Sequence, residues 1–293
     1  MARREPGRHG PPGLPASGDG RASLTFRLLF VGDVVGPSGV SAVLDLVPKL
    51  REELALDAVV ANAENSAPTG RGITPKSGAA LLEVADFLTL GNHAFDAEGH
   101  VGFLNEEERV IRPANFDGRH PGRGWGTFKV NGVTVGVANV LGKVFIDRTK
   151  TSAFEAVDRA IDELDDEVDL VLVDSHAEAT AEKQALGYYL AGRAQAVLGT
   201  HTHVATADAE ILPGGTAYAS DVGMTGCRES VIGFDRDDFL GLFVQNGRRG
   251  IQVESRGLVA FNAALVEFDP GRREATSIEP VRREWRPQGR EAV

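Results

Sequence analysis

Two of the chain's seven histidines stand one residue apart in GTHTH (199–203), at the end of the otherwise apolar run AQAVLGTHTH. In an extended backbone their side chains face opposite sides, so both reach one point only at a bend. The pair reads either as a metal clamp or as two polar residues where a strand leaves the core. Four other apolar runs end in the same way. Asp33 follows FRLLFVG, Glu64 and Asn65 follow AVVANA, Asn92 and His93 follow DFLTLG, and His176 follows LVLVDS. Each offers an oxygen or nitrogen donor. A carboxylate at the end of a run like AVVANA is desolvated at a cost that a cation offsets, with a helix-cap or turn hydrogen bond as the competing reading of Glu64. Asn92 can give a neutral oxygen to a metal while His93 points at a substrate, or the two can form a left-handed turn. The glycines around Asp33 form neither GxGxxG nor a Walker motif, so a phosphate loop lacks its signature.

These donors matter only if the fold brings their strand ends together. FRLLFVGD (26–33) and DAVVANAEN (57–65) read as buried strands. Between them Val40, Val43, Leu44, Val47 and Leu50 recur at helical spacing, with Pro48 expected to kink the helix. Thr74 and Pro75 predict the N-cap and first turn of a helix through Val84. DFLTLGNH (86–93) is a third strand, and FKVNGVTVGVANV (128–140) a hairpin about Asn131-Gly132. SAFEAVDRAIDELDDEV (152–168) predicts a helix before the strand DLVLVDSH (169–176). Thr180 is expected to cap a further helix ahead of AQAVLGTHTH (194–203). TAYASDVG (216–223) and residues 251–268 supply later strands, while the charged residues from about Gly271 onward are expected at the periphery. This alternation predicts an α/β layered architecture, with antiparallel strands appended to a partly parallel sheet. In such sheets sites form beyond the carboxyl ends of the strands. Asp33, Glu64, Asn92, His176, His201 and His203 can therefore converge although they lie far apart in sequence.

Hydrophobic and charged contents of 42% and 25% are those of a globular protein with a substantial core, and residues 25–285 read as a single domain. Residues 1–24, rich in Gly, Pro and Arg, cannot bury enough surface to fold and are expected to be a disordered tail, while 286–293 form a charged end. No apolar run approaches the roughly 20 residues a bilayer span needs. The net charge of −11 argues against a general nucleic-acid or membrane surface. It leaves room for a small anionic substrate, because bound divalent cations reverse the local sign. The single cysteine, Cys227, excludes an intrachain disulfide and a thiolate zinc site and fits a cytoplasmic location. It is expected in a loop. His100 and His120 are expected to be solvated, and Lys143, Lys183 and Arg193 to lie on the surface.

The ordered string GDVVG, AEN, GNHAFD, HAEAT, GTHTH and DVGMTG resembles the calcineurin-like metallophosphoesterase superfamily. RPANF and HAEATAEK narrow the resemblance to its YmdB-like branch of bacterial phosphodiesterases. The likeness runs from about Leu28 to Val266. Two departures from the broad superfamily are typical of that branch: Asp33 is followed by Val34-Val35 instead of x-His, and Glu64 replaces the usual bridging Asp. They leave one metal with fewer nitrogen ligands.

The resemblance implies a layered sandwich of mixed β-sheets flanked by helices. It implies two divalent or transition-metal ions, iron or manganese by the N and O donor set. Asp33 and His203 would hold one, Glu64 would bridge, and Asn92, His176 and His201 would complete the other, with Asn65 as a secondary ligand or an orienting group. It further implies a phosphodiesterase, with 2′,3′-cyclic or 3′,5′-cyclic nucleotides as candidate substrates, acting by attack of a metal-bridged hydroxide with His93 as general acid. A phosphomonoesterase, or a regulator that binds metal and nucleotide without turnover, is the alternative. Assembly into homo-oligomers is implied as well.

Overall fold

The structure, a computed structural model, describes residues 25–164, 168–245 and 250–287. The tail 1–24, residues 165–167 at the end of one expected helix, and the last six residues of the charged end lie outside them.

The chain begins with Phe26–Val31 (β1) and the short Asp33–Val34 (β2), followed by the helix Gly36–Glu53 (α1). Ala58–Asn62 (β3), the helix Pro75–Leu81 (α2), Phe87–Thr89 (β4), the helix His100–Glu106 (α3) and Val110–Ile111 (β5) come next. Trp125–Val130 (β6) and Val133–Leu141 (β7) form the expected hairpin, with Asn131 and Gly132 both at positive φ (50° and 83°) as a tight two-residue turn requires. Ala153–Leu164 (α4), Leu170–His176 (β8), Thr180–Leu190 (α5) and Ala196–Thr200 (β9) follow. The remainder comprises Glu210–Leu212 (β10), Thr216–Ala219 (β11), Met224–Cys227 (β12), the helix Arg236–Gln245 (α6), Val259–Asp269 (β13) and Glu274–Trp285 (β14).

Two mixed sheets result. One has the order β2-β12-β13-β1-β3-β4-β5 with β14 on β13, the other β10-β11-β9-β8-β7-β6. Strands β1, β3, β4 and β5 are parallel neighbours in the first, and β7, β8, β9 and β11 in the second. Side-chain alternation sorts each strand between two cores. Phe26, Leu28 and Phe30 of β1 meet Leu170, Leu172, Ala196 and Leu198 of β8 and β9 between the sheets. Leu29 and Val31 face the other way, onto Val43, Val47 and Leu50 of α1. Val171 and Val173 likewise pack on Val157, Ile161 and Leu186 of α4 and α5. The order of layers is helix, sheet, sheet, helix, which is the expected sandwich. Among the described residues no helix is long and apolar enough to cross a membrane.

Several local expectations need correction. The helix after Thr74 stops at Leu81 instead of Val84, because Glu83 and Val84 donate to Ala80 and Leu81 in three-residue turns. Its capping box between Thr74 and Ser77 is present. Thr180 does not cap α5: the N-cap is Ala179, without a side-chain bond, and Thr180 is the first helical residue. Pro48 does lie inside the expected helix, α1. Cys227 sits in β12, where its thiol donates to the Arg256 carbonyl, and is not a loop residue. The strand expected from 251 begins only at Val259. The charged segment after Gly271 is β14, registered with β13 from Val259↔Trp285 to Asp269↔Glu274 and burying Ala275 and Val281. Its charges hide the alternation, since only every few residues carries an apolar side chain to the core. His100 and His120 are packed with Phe95 and Phe116, their rings 4.9–5.7 Å from the Phe95 centroid or that of Phe116.

Candidate metal centre

The parity that builds the core also builds the site. Leu170 and Leu172 face the opposite sheet, so Asp174 and His176 continue the same row. Ala196 and Leu198 are continued by Thr200, Ala58 and Val60 by Asn62, and Phe87 by Thr89. The inter-sheet layer therefore turns polar at the carboxyl ends of its strands. Asp174 is completely buried there and accepts from Thr89 Oγ1 (2.5 Å), Thr200 Oγ1 (2.6 Å) and Asn62 Nδ2 (2.9 Å). Burial pushes its carboxyl up, against the pull of His176 and these donors.

Above this floor lie all the residues expected as donors. Thr200 Oγ1, already donating to Asp174, meets His176 Nδ1 at 2.8 Å and so takes that ring proton. His176 Nε2 then faces three groups at once: Glu64 Oε1 (3.0 Å), Asn92 Oδ1 (3.0 Å) and His201 Nδ1 (3.1 Å). A single ring proton can point at only one of them. Glu64, His176 and His201 each offer a donor atom within 4.8 Å of the others. The outer nitrogen of His201 lies 3.1 Å from Glu178 Oε2, which leaves Nδ1 turned inward.

A second group adjoins it. Asn65 Nδ2 donates to the Gly70 carbonyl at 2.8 Å, which aims Oδ1 at His203 Nε2, 3.2 Å away. His203 Nδ1 lies 2.7 Å from the Ile232 carbonyl. Asp33, fully buried, accepts the His201 backbone N–H through both carboxylate oxygens at 3.1 and 3.3 Å, and its Oδ1 is 3.9 Å from His176 Nδ1.

The H-x-H geometry is solved by backbone conformation. His201 and His203 both have positive φ, 96° and 64°, so the chain bends where an extended pair would splay its rings. Such conformations cost about 1–3 kcal/mol each and persist only where the surroundings impose them. Asp221 imposes this one, accepting from Thr202 N–H (3.0 Å) and Thr202 Oγ1 (2.8 Å) between the two histidines. Lys183 Nζ, 2.7 Å from the same carboxylate oxygen, neutralises it. Lys183 is thus a buried cation of the site's support and not the expected surface residue; it lies on the inner face of α5, three residues after Thr180. Arg193 does lie outside, paired with Asp158, and Lys143 is exposed with Nζ on the Lys150 carbonyl.

Electrostatics mark this region strongly. Burial drives the Asp33 carboxyl up to about 6, although His203 and His176 pull it down. Burial acts on Glu64 in the same sense, but His176 and the His93 backbone N–H outweigh it and hold Glu64 at about 2. Burial would lower His176, yet Glu64, Asp33 and Asp174 raise it to about 9. His201 is depressed to about 3 by burial and then by the charge on His176. Clustered shifts of this kind are characteristic of functional sites.

The donor set fits divalent cations. Three imidazoles are tied at their outer nitrogens; the inner nitrogens of His176 and His203 face carboxylate or amide oxygens and that of His201 faces His176 Nε2, the orientation that outer partners give to metal ligands. The donors are oxygen and nitrogen without sulfur. Gly91 is part of the fit, because a Cβ there would overlap Glu64 Oε2 and the His176 ring.

His93 stands beside these groups without sharing in them. Its backbone N–H donates to Glu64 Oε2 (2.9 Å), and its Nδ1 lies 2.6 Å from Asp96 Oδ2, which is also 3.5 Å on its other oxygen from Arg148. Asp96, three residues on in GNHAFD, was readable as an i,i+3 partner. Glu64, Asn65, His93, His201 and His203 line one cleft of about 280 Å³.

The model of the YmdB-like protein family matches residues 29–281. The chain belongs to that family. Among its relatives is the 2′,3′-cyclic-nucleotide 2′-phosphodiesterase of Bacillus subtilis (strain 168), 39% identical over 257 residues that cover 87% of this chain and 96% of that one. The crystal structure of a hypothetical protein from Thermus thermophilus superposes with a TM-score of 0.82 at 41% identity, covering 88% and 99% of the two chains. A phosphatase from Mycoplasma pneumoniae gives 0.83 at 30% identity over 91% and 96%. The resemblance carried by GDVVG, GNHAFD and GTHTH thus extends over the YmdB-like fold as a whole.

Proposed function

We propose that this YmdB-like chain is a metal-dependent phosphodiesterase that hydrolyses 2′,3′-cyclic nucleotides, with activity on 3′,5′-cyclic nucleotides as a second arm to be tested. The observation that carries the reading is the convergence of Glu64, Asn92 and His201 on the one inner nitrogen of His176. Glu64, Asn92, His176 and His201 would hold one cation; Asp33, Asn65 and His203 would hold the other, with Glu64 shared. Mn²⁺ or iron suits such donors. Cations bound there supply Lewis acidity toward phosphate oxygens and water.

The chain's own residues supply the proton. Asp96 accepts from His93 Nδ1 and fixes the ring; doubly protonated, the ring would pass its Nε2 proton to the departing alkoxide as water forms the new bond to phosphorus and one P–O bond breaks, the proton that the water loses returning to the ring. The 2′,3′-cyclic substrate is favoured by the activity of the Bacillus subtilis relative. A cytoplasmic homo-oligomer is the accompanying expectation. Assay of Mn²⁺-loaded protein on bis-p-nitrophenyl phosphate, p-nitrophenyl phosphate and both classes of cyclic nucleotide tests the reading. Turnover of the monoester alone would make the protein a phosphomonoesterase.

A further inference from the structure

One wall of the cleft has no part in the donor groups. It is formed by Ile232, Phe234, Phe239 and Ile251, in a cleft whose other lining is charged or polar. This wall is built directly onto the site: the Ile232 carbonyl holds His203, and Phe234 lies against Gly70, whose carbonyl holds Asn65. Ile232 is 39% exposed and sits at φ 49°, a left-handed conformation that a β-branched residue adopts only under constraint. The constraint comes from the reciprocal Val231–Phe234 backbone bonds and from Ser230 Oγ, which accepts the Gly233 N–H. The loop is thus held rigid with an apolar side chain presented beside a metal-type donor set. Phe239 of α6 is half-buried, its ring 6.3 Å from Phe234 edge-on and 5.9 Å from Phe243 in a stacked arrangement. Phe234, which is buried, holds the ring at its edge, while Phe243 is itself exposed.

We propose that this wall, with Phe239 as its principal contact, is the nucleobase subsite, so that the cleft takes nucleoside cyclic phosphates in preference to sugar phosphates that lack a base. The inference rests on the phosphodiesterase reading for the chemistry of the other end of the ligand. A substrate with an anionic phosphate and a flat apolar plate matches a cleft that is polar at its floor and aromatic at its wall; every base has a π-face that such a wall can cover. Arg71 lines the same cleft and has no ion-pair partner among the described residues. Its guanidinium meets the phosphate, which both kinds of substrate carry.

The test compares adenosine 2′,3′-cyclic phosphate with methyl riboside 2′,3′-cyclic phosphate on the metal-loaded protein. Phe239→Ala is expected to lower the ratio of their kcat/KM values by roughly 5–150-fold, the span for loss of one base–aromatic stack, and Phe239→Trp to restore it. Arg71→Gln should depress both substrates in parallel and leave the ratio standing. A ratio that does not move on Phe239→Ala, in a variant that binds metal and folds normally, overturns the proposal. If the parent hydrolyses neither substrate, the phosphodiesterase reading fails, and calorimetric binding of adenosine 3′-phosphate against ribose 3-phosphate decides the subsite. Tighter binding of the nucleotide, lost on Phe239→Ala, sustains it, and equal binding refutes it.

Discussion

His203 Nε2 and Asn65 Oδ1 lie 3.2 Å apart, and neither has a proton of its own to give the other once Ile232 and Gly70 have taken their donors. Two acceptors at that separation repel unless a positive charge joins them, either a second ring proton or a metal ion. If the proposed pair of cations binds, His203→Ala should remove about half of the metal bound by the parent, read by elemental analysis after dialysis, while the group around His176 keeps its share. Full stoichiometry in the variant would separate His203 from metal binding.

Gly91 tests how tightly the strand ends are drawn together. Gly91→Ala puts a methyl group where Glu64 Oε2 and His176 Nε2 stand. Overpacking of this kind costs about 1–3 kcal/mol, and the donors can move apart only by losing their common focus. Metal content is expected to fall in a protein that still melts cooperatively, as followed by circular dichroism. Metal content equal to that of the parent would mean that the site is more pliable than its burial implies.

The pH response of the metal-free protein follows from His176. Its pKa rises from 6.5 to about 9 on folding, so the stabilisation is fully present below pH 6.5 and is lost as pH rises through about 9. Urea unfolding of chelator-treated protein should show stability falling between pH 6.5 and 9.5 by an amount on the order of 1–3 kcal/mol. Glu64 adds a separate acid limb: held at about 2, it stabilises above pH 4.5 and ceases to do so as pH falls through about 2. Because a ligating His176 must give up its Nε2 proton, cation uptake at pH 8 should release protons. Calorimetry in buffers of different ionisation enthalpy measures that release directly, and its absence would count against His176 as a ligand.

Lys183 and Asp221 form a buried pair at 2.7 Å, with side chains 2% and 1% exposed. Lys183→Met leaves the Asp221 carboxylate without its counter-charge and is expected to destabilise the protein by about 3–5 kcal/mol. Adding Asp221→Asn should recover much of that loss in urea unfolding. If the single variant is as stable as the parent, the pair does not hold the His201–His203 turn.

Much of this was legible in the sequence wherever periodicity and chemistry coincide. Apolar runs ending in Asp33, Glu64, Asn92, His176 and His201 predict both the parallel strands and the convergence of their ends, because a strand's length and its polar terminus are local properties. Asp174 and Thr200 carried a quieter signal, a polar residue in the same parity as Leu172 or Leu198, which needs the opposing sheet to become meaningful. Lys183 was out of reach: its partner lies 38 residues away, and nothing local distinguishes a buried lysine from a solvated one. Strand β14 was hidden by its own charges, since its pairing with β13 depends on backbone bonds that leave no mark on residue type.

The proton assigned to His93 can be separated from metal binding. Its ring lies outside the donor groups, tied through Nδ1 to Asp96 at 2.6 Å. His93→Ala should keep near-normal metal content and lose roughly 10²–10⁴-fold in turnover of a diester with a poor leaving group. The loss should shrink for bis-p-nitrophenyl phosphate, whose p-nitrophenolate departs without needing a proton. Asp96→Asn should give a smaller defect of the same leaving-group dependence, because it only orients the ring. An equal loss on both substrates would mean that His93 acts on phosphate charge and not as the proton donor, since only proton donation depends on the basicity of the departing oxygen.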